Sequence, residues 1–231
     1  MANPVEEARA TTISEGTATT SAVINLPSGI TSGEGLLVTI SVNDIPGSTF
    51  PGGWTELFNI PTSADKATLI CGYRDADGTE GSTITVTLST SEQFSAVAAR
   101  YSGVDFGTNI PEYVTGVTDD PANITPAGGA LDYKILAPIA IDTNLTTITS
   151  FPSGYSNTLD QQSHSSGPAC RLGMCEKDLT AASSENPGAY TLSGSNRKIT
   201  ATIAITPVAG GATNPKGVFG MPLNRPLRGP L

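Results

Sequence analysis

Short runs in which apolar and polar residues alternate recur along the whole chain and predict β-strands. The clearest run covers 83–89, where Ile84, Val86 and Leu88 alternate with threonines. Successive side chains of a strand point to opposite faces, so one face of this strand is predicted to be buried and the other to be exposed to solvent. The run 199–205 repeats the pattern with isoleucine and alanine on the inward side.

Twelve such runs, separated by turn residues, predict an all-β chain. Two further segments, 4–10 and 92–100, are the best candidates for short helices, although the second alternates like a strand. The twelve runs form two sets of six. The first set is 20–26, 35–43, 54–59, 66–74, 82–89 and 94–104, and the second is 132–142, 145–150, 155–159, 169–177, 189–194 and 198–208.

The two sets resemble each other as an internal repeat would. FPGGWTELF at 50–58 returns as FPSGYSNTL at 151–159, each time after a β-rich run. An aromatic residue, Trp54 or Tyr155, follows the turn in both copies. Two copies are too few for a solenoid, so we predict a duplicated sheet layer in which each copy covers the apolar face of the other.

The repeat predicts an antiparallel, jelly-roll-like β-sandwich over residues 1–208. The copies cover about 24–104 and 131–208. Between them, 105–130 is rich in Pro, Gly and Asp and is predicted to be a crossover loop. The repeat length suits either one sandwich or two small tandem ones.

Composition agrees with this fold and limits the partners. The 231 residues include 25 Gly and 17 Pro, which disfavour long helices. The net charge of −9 argues against nucleic acid or an anionic membrane as partner. No apolar run approaches the roughly 20 residues that span a bilayer. The opening MANPVEEARATT lacks the apolar region of a secretory signal, so we expect use in the cytoplasm or export by another route.

Three cysteines, Cys71, Cys170 and Cys175, do not suggest a disulfide framework, because their number is odd and no export signal is visible. We predict that they are buried as small apolar side chains. Pairing of Cys170 with Cys175 is left open, because it would need a specific hairpin geometry.

The candidates for chemistry are weak. DADG at 75–78, with Glu80 nearby, is rich in oxygen ligands but lacks the spacing of an EF-hand, and Asp-Gly between strands is a common hairpin signal. Asp119 and Asp120 are predicted to lie in a solvated turn. His164 lies in the polar segment QQSHSSG without a nucleophile motif. We predict no enzyme activity, no metal and no cofactor.

Trp54 and Tyr155 admit two interpretations. They could form exposed platforms for sugar rings, with Tyr101 or Tyr113 beside them. Alternatively, each begins a strand after a turn and closes the end of the core. Their presence in both copies favours the packing role.

Residues 209–231 differ from everything before them. This segment, AGGATNPKGVFGMPLNRPLRGPL, contains four prolines, isolated apolar residues and three cations without an acid. It is either a disordered tail or an extended arm that docks into grooves on a neighbouring subunit. The arm residues predicted to bind a partner are Lys216, Phe219, Met221, Leu223, Arg225, Leu227 and Arg228.

The phrases FPGGWTELF, YRDADGTEGSTITVTLSTSE, AARYSGVD and TATIAITP resemble a family of β-sandwich proteins encoded in tailed bacteriophage genomes. Members are described as virion structural, minor tail or decoration proteins. The resemblance covers about 15–207 and rests on strands and turns rather than on a catalytic signature. The basic C-terminal arm is not part of the common pattern.

The resemblance implies a virion component assembled in the host cytoplasm. An arm that grips neighbours fits a capsid decoration (cement) protein, a homo-oligomer (dimer or trimer) that binds the major capsid protein or other virion subunits. The alternative is a tail-fibre or receptor-binding module that holds surface sugars with Trp54 and Tyr155. A secreted bacterial adhesin domain is a third possibility, which would need an export route. The sequence leaves open whether the site is on the capsid or the tail.

Overall fold

A computed structural model describes residues 2–62, 66–142, 146–165 and 169–208, and these ranges contain sixteen β-strands and no helix. The strands are β1 (Val5–Ile13), β2 (Thr19–Asn25), β3 (Gly35–Asn43), β4 (Ser48–Thr49), β5 (Thr55–Pro61), β6 (Ala67–Asp75), β7 (Thr83–Glu92), β8 (Phe94–Ser102), β9 (Glu112–Gly116), β10 (Lys134–Leu136), β11 (Ile139–Asp142), β12 (Ile148–Ser150), β13 (Ser156–Gln162), β14 (Cys170–Asp178), β15 (Thr191–Leu192) and β16 (Lys198–Ile205).

Each of the twelve predicted runs contains a strand, so the all-β prediction is confirmed. Both helical candidates are strands: 4–10 forms most of β1, and 92–100 falls on the end of β7 and on β8. β9 lies inside the predicted crossover loop, 105–130, which is therefore not loop throughout. β1 and β9 are both edge strands, and pairing with a neighbour fixes them more than their own sequence does.

The first half of the chain forms two sheets. A five-stranded antiparallel sheet has the order β1-β8-β3-β6-β5, and a three-stranded sheet, β2-β7-β4, covers one of its faces. The central strand β3 is buried from Gly35 to Val42 because both of its faces are covered. In β7, Ile84, Val86 and Leu88 are buried and the intervening threonines are exposed, as predicted.

The second half repeats this arrangement. Its large sheet has the order β9-β16-β11-β14-β13, with β10 also lying between β14 and β16. β10 and β11 are two segments of one interrupted strand. The interruption falls at Ala137 and Pro138, where proline has no N–H to donate to the ladder. The short pair β12-β15 lies on the outer face of this sheet.

The two large sheets have the same strand order, and they are stacked so that the order runs in opposite directions in the two sheets. Arg9 on β1 bonds to Asn157 on β13, and Phe58 on β5 contacts Tyr113 on β9. By strand order, β1 corresponds to β9, and β5 corresponds to β13. Each edge strand therefore lies against the strand that corresponds to the opposite edge of its own sheet, as a two-fold rotation between the halves would produce. The shared order favours the duplication. The duplication and the jelly-roll-like description both stay predictions.

The main core lies between the two large sheets. Leu37, Leu69 and Val97 from the first half pack there against Leu172 and Ile203 from the second. Each half has further outer cores beneath its small sheet or loops. Each half thus covers the apolar face of the other, as predicted, and the molecule has four layers with a shared centre.

Equivalent turns precede β5 and β13. Trp54 N–H donates to Pro51 O at 3.2 Å, and Tyr155 makes the corresponding bond at 3.3 Å. The glycine before each aromatic residue has a positive φ, 84° at Gly53 and 79° at Gly154. A type II turn needs this conformation at its third residue, and glycine adopts it without a steric cost.

Candidate functional site

A cluster of charged and polar side chains joins the two halves beside the central core. The pattern of strands gave no signal for it, because its members lie far apart in the sequence. We call it the carboxylate cluster. Its members are Glu6, Arg9 and Tyr101 from the first half and Lys134, Asn157 and Glu176 from the second.

Two glutamates lie at the centre of the carboxylate cluster. Arg9 Nη2 is 2.6 Å from Glu6 Oε2 and 2.8 Å from Glu176 Oε1. Tyr101 donates its hydroxyl to Glu176 Oε1 at 3.1 Å. Asn157 Nδ2 donates to both glutamates, at 3.1 and 3.3 Å. These bonds connect β1 and β8 of one half to β13 and β14 of the other.

The two glutamates titrate differently although both are buried. Burial opposes ionisation of Glu6, but hydrogen bonds from Arg9 and Glu176 outweigh it and lower its pKa to about 2. Burial, with the hydrogen bond and charge of Glu6, raises the pKa of Glu176 to about 8. Near neutral pH the pair therefore holds one proton between two carboxyl groups. Burial and the two neighbouring carboxylates also raise the pKa of Tyr101, which keeps its proton.

The carboxylate cluster is suited to holding strands together rather than to turning over a substrate. The side chains of Glu6 and Glu176 are only 9% and 3% exposed. Their oxygens accept bonds from Arg9, Tyr101 and Asn157, so the protein itself satisfies them. A general acid would have to release these partners to reach a substrate.

Trp54 is half-buried and packs against the outer core of the first half. Its ring stacks on Phe50, with centroids 6.2 Å apart and planes 24° apart. Tyr155 is also half-buried, but against the outer cores of the second half. The two residues belong to different layers, so the fold does not bring them together into one platform.

Polar neighbours hold the Tyr155 ring in place. Its hydroxyl donates to Glu185 Oε1 at 3.2 Å, and Lys177 Nζ lies 5.6 Å from the ring centroid. Lys177 also pairs with Glu185 at 2.8 Å. Burial, followed by the charge of Glu185, raises the pKa of Tyr155. These contacts are those of a packed aromatic residue with a satisfied hydroxyl.

The other two tyrosines considered for a platform differ from each other. Tyr101 is completely buried, so a sugar ring cannot stack on it. Tyr113 is 40% exposed at the sheet edge, and its ring lies 4.8 Å from that of Phe58. Of the two, only Tyr113 presents a surface to a partner.

The predicted arm residues, Lys216, Phe219, Met221, Leu223, Arg225, Leu227 and Arg228, lie outside the described residues. The last described residue is Val208, which is exposed. Its N–H donates to Gly103 O at 2.9 Å, which holds Val208 against the turn that follows β8. A cleft of about 400 Å³ at this point is lined by Gly33, Asp75, Val104, Asp105 and Val208.

The DADG segment connects β6 to β7, which lie in different sheets and do not pair with each other, so it is not a hairpin. The carboxylates of Asp77 and Glu80 accept hydrogen bonds within this connection. Asp77 Oδ1 accepts from Thr79 N–H at 2.8 Å, and Glu80 accepts from the N–H groups of Asp77 and Gly78. Both carboxylates also pair with Arg74. Within the described residues, no group of three or more His, Cys, Asp or Glu side chains is placed to hold a metal ion.

His164 lies in a shallow cleft beside Ile13, Glu15 and Ser163. The hydroxyl of Ser163 is engaged, since it donates to Gln93 Oε1 at 3.3 Å and accepts from Cys170 N–H at 3.0 Å. This hydroxyl thus has a structural role.

Among the described residues, no helix is long and apolar enough to cross a membrane.

All three cysteines are free and buried, as predicted. Burial raises the pKa of Cys71 to about 12, of Cys170 to about 11 and of Cys175 to about 12. Cys170 and Cys175 lie five residues apart on β14 and point to opposite faces. Cys170 Sγ contacts Ser41 O, and Cys175 Sγ contacts Tyr190 OH, so the two thiols are not paired.

Comparison with models of known protein families, with curated proteins and with solved structures gives no match.

Proposed function

We propose that this protein is a non-enzymatic structural component of a tailed-phage particle, a decoration protein that binds the capsid surface through its C-terminal arm. The resemblance to phage β-sandwich proteins supports this role. The phrases that carry it fall on structural elements of the sandwich: the turn before β5, the connection from β6 to β7, β8 and β16. Its assembly would take place in the host cytoplasm.

The observation that carries the proposal is the position of Val208. Val208, the residue before the arm, is exposed and is bonded to the rim of the sandwich, so the attachment point of the arm is fixed. The arm carries +3, and because the whole chain carries −9, residues 1–208 carry −12. The charge of the arm favours contact with an acidic surface over a neutral one, and we propose that this surface belongs to a neighbouring subunit.

The proposed mechanism is mechanical. The sandwich adds contact area across junctions between major capsid subunits, or between other virion subunits. Each arm binds weakly by itself, but tethering and repetition around a symmetry axis raise the effective concentration of arms and hence the avidity.

Co-sedimentation with particles stripped of the protein tests the proposal. We expect the full chain to bind at many copies per particle, whereas a chain that ends at Val208 stays in the supernatant. A second variant keeps the full length but has glutamine in place of Lys216, Arg225 and Arg228. It should bind the particles more weakly, and its binding should depend much less on salt concentration.

Equal binding of the full and shortened chains at a few copies per particle would contradict the decoration role. A tail or sugar-recognition role would then be the better explanation. Absence of binding by both chains would contradict a virion role as such.

A further inference from the structure

We propose that β9 is a self-association edge, through which two copies of this chain pair strand to strand about a two-fold axis. The inference goes beyond the virion role and does not depend on it. It rests on the backbone groups, the exposed side chains and the register of β9.

The backbone groups of two β9 residues point away from the sheet. Within the described residues, β9 pairs only with β16. In β16, Ala201 N–H donates to Pro138 O at 3.0 Å, on the side away from β9. Its partner across the sheet is Thr115, which therefore directs its own N–H and C=O to the free edge, as does Tyr113. Val114, between them, bonds to β16.

Exposed apolar side chains concentrate around this edge. Of the seven large apolar side chains that are exposed among the described residues, three lie between positions 110 and 117. Ile110, Tyr113 and Val117 are between 40% and 59% exposed. Tyr113 lies on β9, and Ile110 and Val117 flank it. Exposed apolar residues on and beside a sheet edge are typical of a surface that a partner covers.

The other edge strands carry groups that oppose pairing. β1 exposes Glu7, β5 exposes Glu56 and β13 exposes Asp160. Charged side chains on an edge discourage the addition of another strand. β9 has a single charged residue, Glu112, whose carboxylate accepts from Ala127 N–H at 2.9 Å. Of the four edge strands of the two large sheets, β9 is thus the least protected against the addition of another strand.

The sequence of β9 is self-complementary in one antiparallel register. A two-fold axis through Val114 places Tyr113 opposite Thr115 of the second copy, and Glu112 opposite Gly116 of the second copy. Each Tyr113–Thr115 pair exchanges two backbone hydrogen bonds, because both residues direct their groups to the free edge. No like charges face each other, and tyrosine beside threonine is a favourable cross-strand pair. The geometry therefore fits a second copy.

A disulfide at the two-fold axis tests the register. Val114→Cys should form an intermolecular disulfide on mild oxidation, because residues in a non-hydrogen-bonded pair have Cα atoms about 4.5 Å apart, within disulfide range. Thr115→Cys is the matched control and should not cross-link to itself, since the two copies of this residue are offset by about 7 Å along the strand. The three native cysteines are buried, so we expect none of them to compete for the cross-link.

Sedimentation velocity over a concentration series tests the surface in the full chain. We expect a concentration-dependent dimer, because a five-residue ladder is a small interface. Val117→Lys should raise the dimer dissociation constant at least tenfold. Val23→Lys is the control, because Val23 is a similarly exposed valine on β2, and it should leave the constant unchanged. Circular dichroism confirms that both variants are folded.

Three results would overturn the inference. The first is a chain that stays monomeric at all concentrations. The second is a dimer that persists in Val117→Lys but disappears when the chain ends at Val208, since the arm would then make the contact. The third is equal cross-linking of the two cysteine variants.

Discussion

At the scale of single residues, the coupled glutamates of the carboxylate cluster predict how stability depends on pH. Glu176 has a folded-state pKa of about 8, above the ordinary value of about 4.3, so its stabilising contribution is full below about 4.3 and is lost as the pH rises through 8. Glu6 has a folded-state pKa of about 2, so its contribution is lost as the pH falls towards 2. Together the pair should give maximal stability near pH 4 to 5.

Glu176→Gln should flatten this dependence between pH 5 and pH 8, because glutamine keeps a neutral, hydrogen-bonding side chain but has no proton to lose. The free energy of unfolding from urea titrations at pH 5, 6.5 and 8 measures the effect. The control is Glu7→Gln, which changes an exposed carboxylate on β1. An unchanged slope in Glu176→Gln would show that this pair does not hold the proton.

At the scale of elements, two glycines allow the outer layers to approach the large sheets. A Cβ added to Gly72 on β6 would overlap the ring of Phe50, and one added to Gly173 on β14 would overlap Ile148. The two glycines occupy corresponding strands of the two halves, at the same distance from Trp54 and Tyr155. The absence of a side chain at these points therefore sets the spacing between layers.

Gly72→Ala should destabilise the protein by about 1–3 kcal/mol, because the ring of Phe50 or the strand itself must move. Thermal or urea unfolding measures the change. Gly52→Ala serves as the control, since a Cβ there would have no atom within 4 Å, and it should change stability by less than about 1 kcal/mol. Equal effects of the two substitutions would contradict a packing role for Gly72.

The elements also differ in how well the sequence predicts them. β7 and β16 were predictable because alternating side chains match the period of a strand. β1 and β9 were missed because their alternation is weak and their pairing with β8 and β16 holds them in place. The turns before β5 and β13 were recognisable, since Pro and Gly fix specific backbone angles.

At the scale of the whole molecule, the central core makes the two halves interdependent. Leu172 lies completely buried in that core, on β14 of the second half. The only tryptophan, Trp54, packs against the outer core of the first half. Since each half covers the other, loss of packing in one should weaken both.

Leu172→Ala should destabilise the protein by about 2–5 kcal/mol and shift the unfolding transition seen by Trp54 fluorescence as much as that seen by far-UV circular dichroism. Val23→Ala, an exposed change within the same half as Trp54, should shift both by less than about 0.5 kcal/mol. A Trp54 transition that stays in place while the circular dichroism transition splits would mean that the halves unfold independently.

The sequence by itself determined the strand content, the positions of the turns and the burial of the cysteines, because these follow from local periodicity and composition. Only the tertiary structure decided which strands lie at edges, that β9 is an open edge, and that Glu6 meets Glu176 across 170 positions of the sequence. Such contacts depend on strand order and register. Those are set by the packing of whole sheets, and no single stretch of residues encodes them.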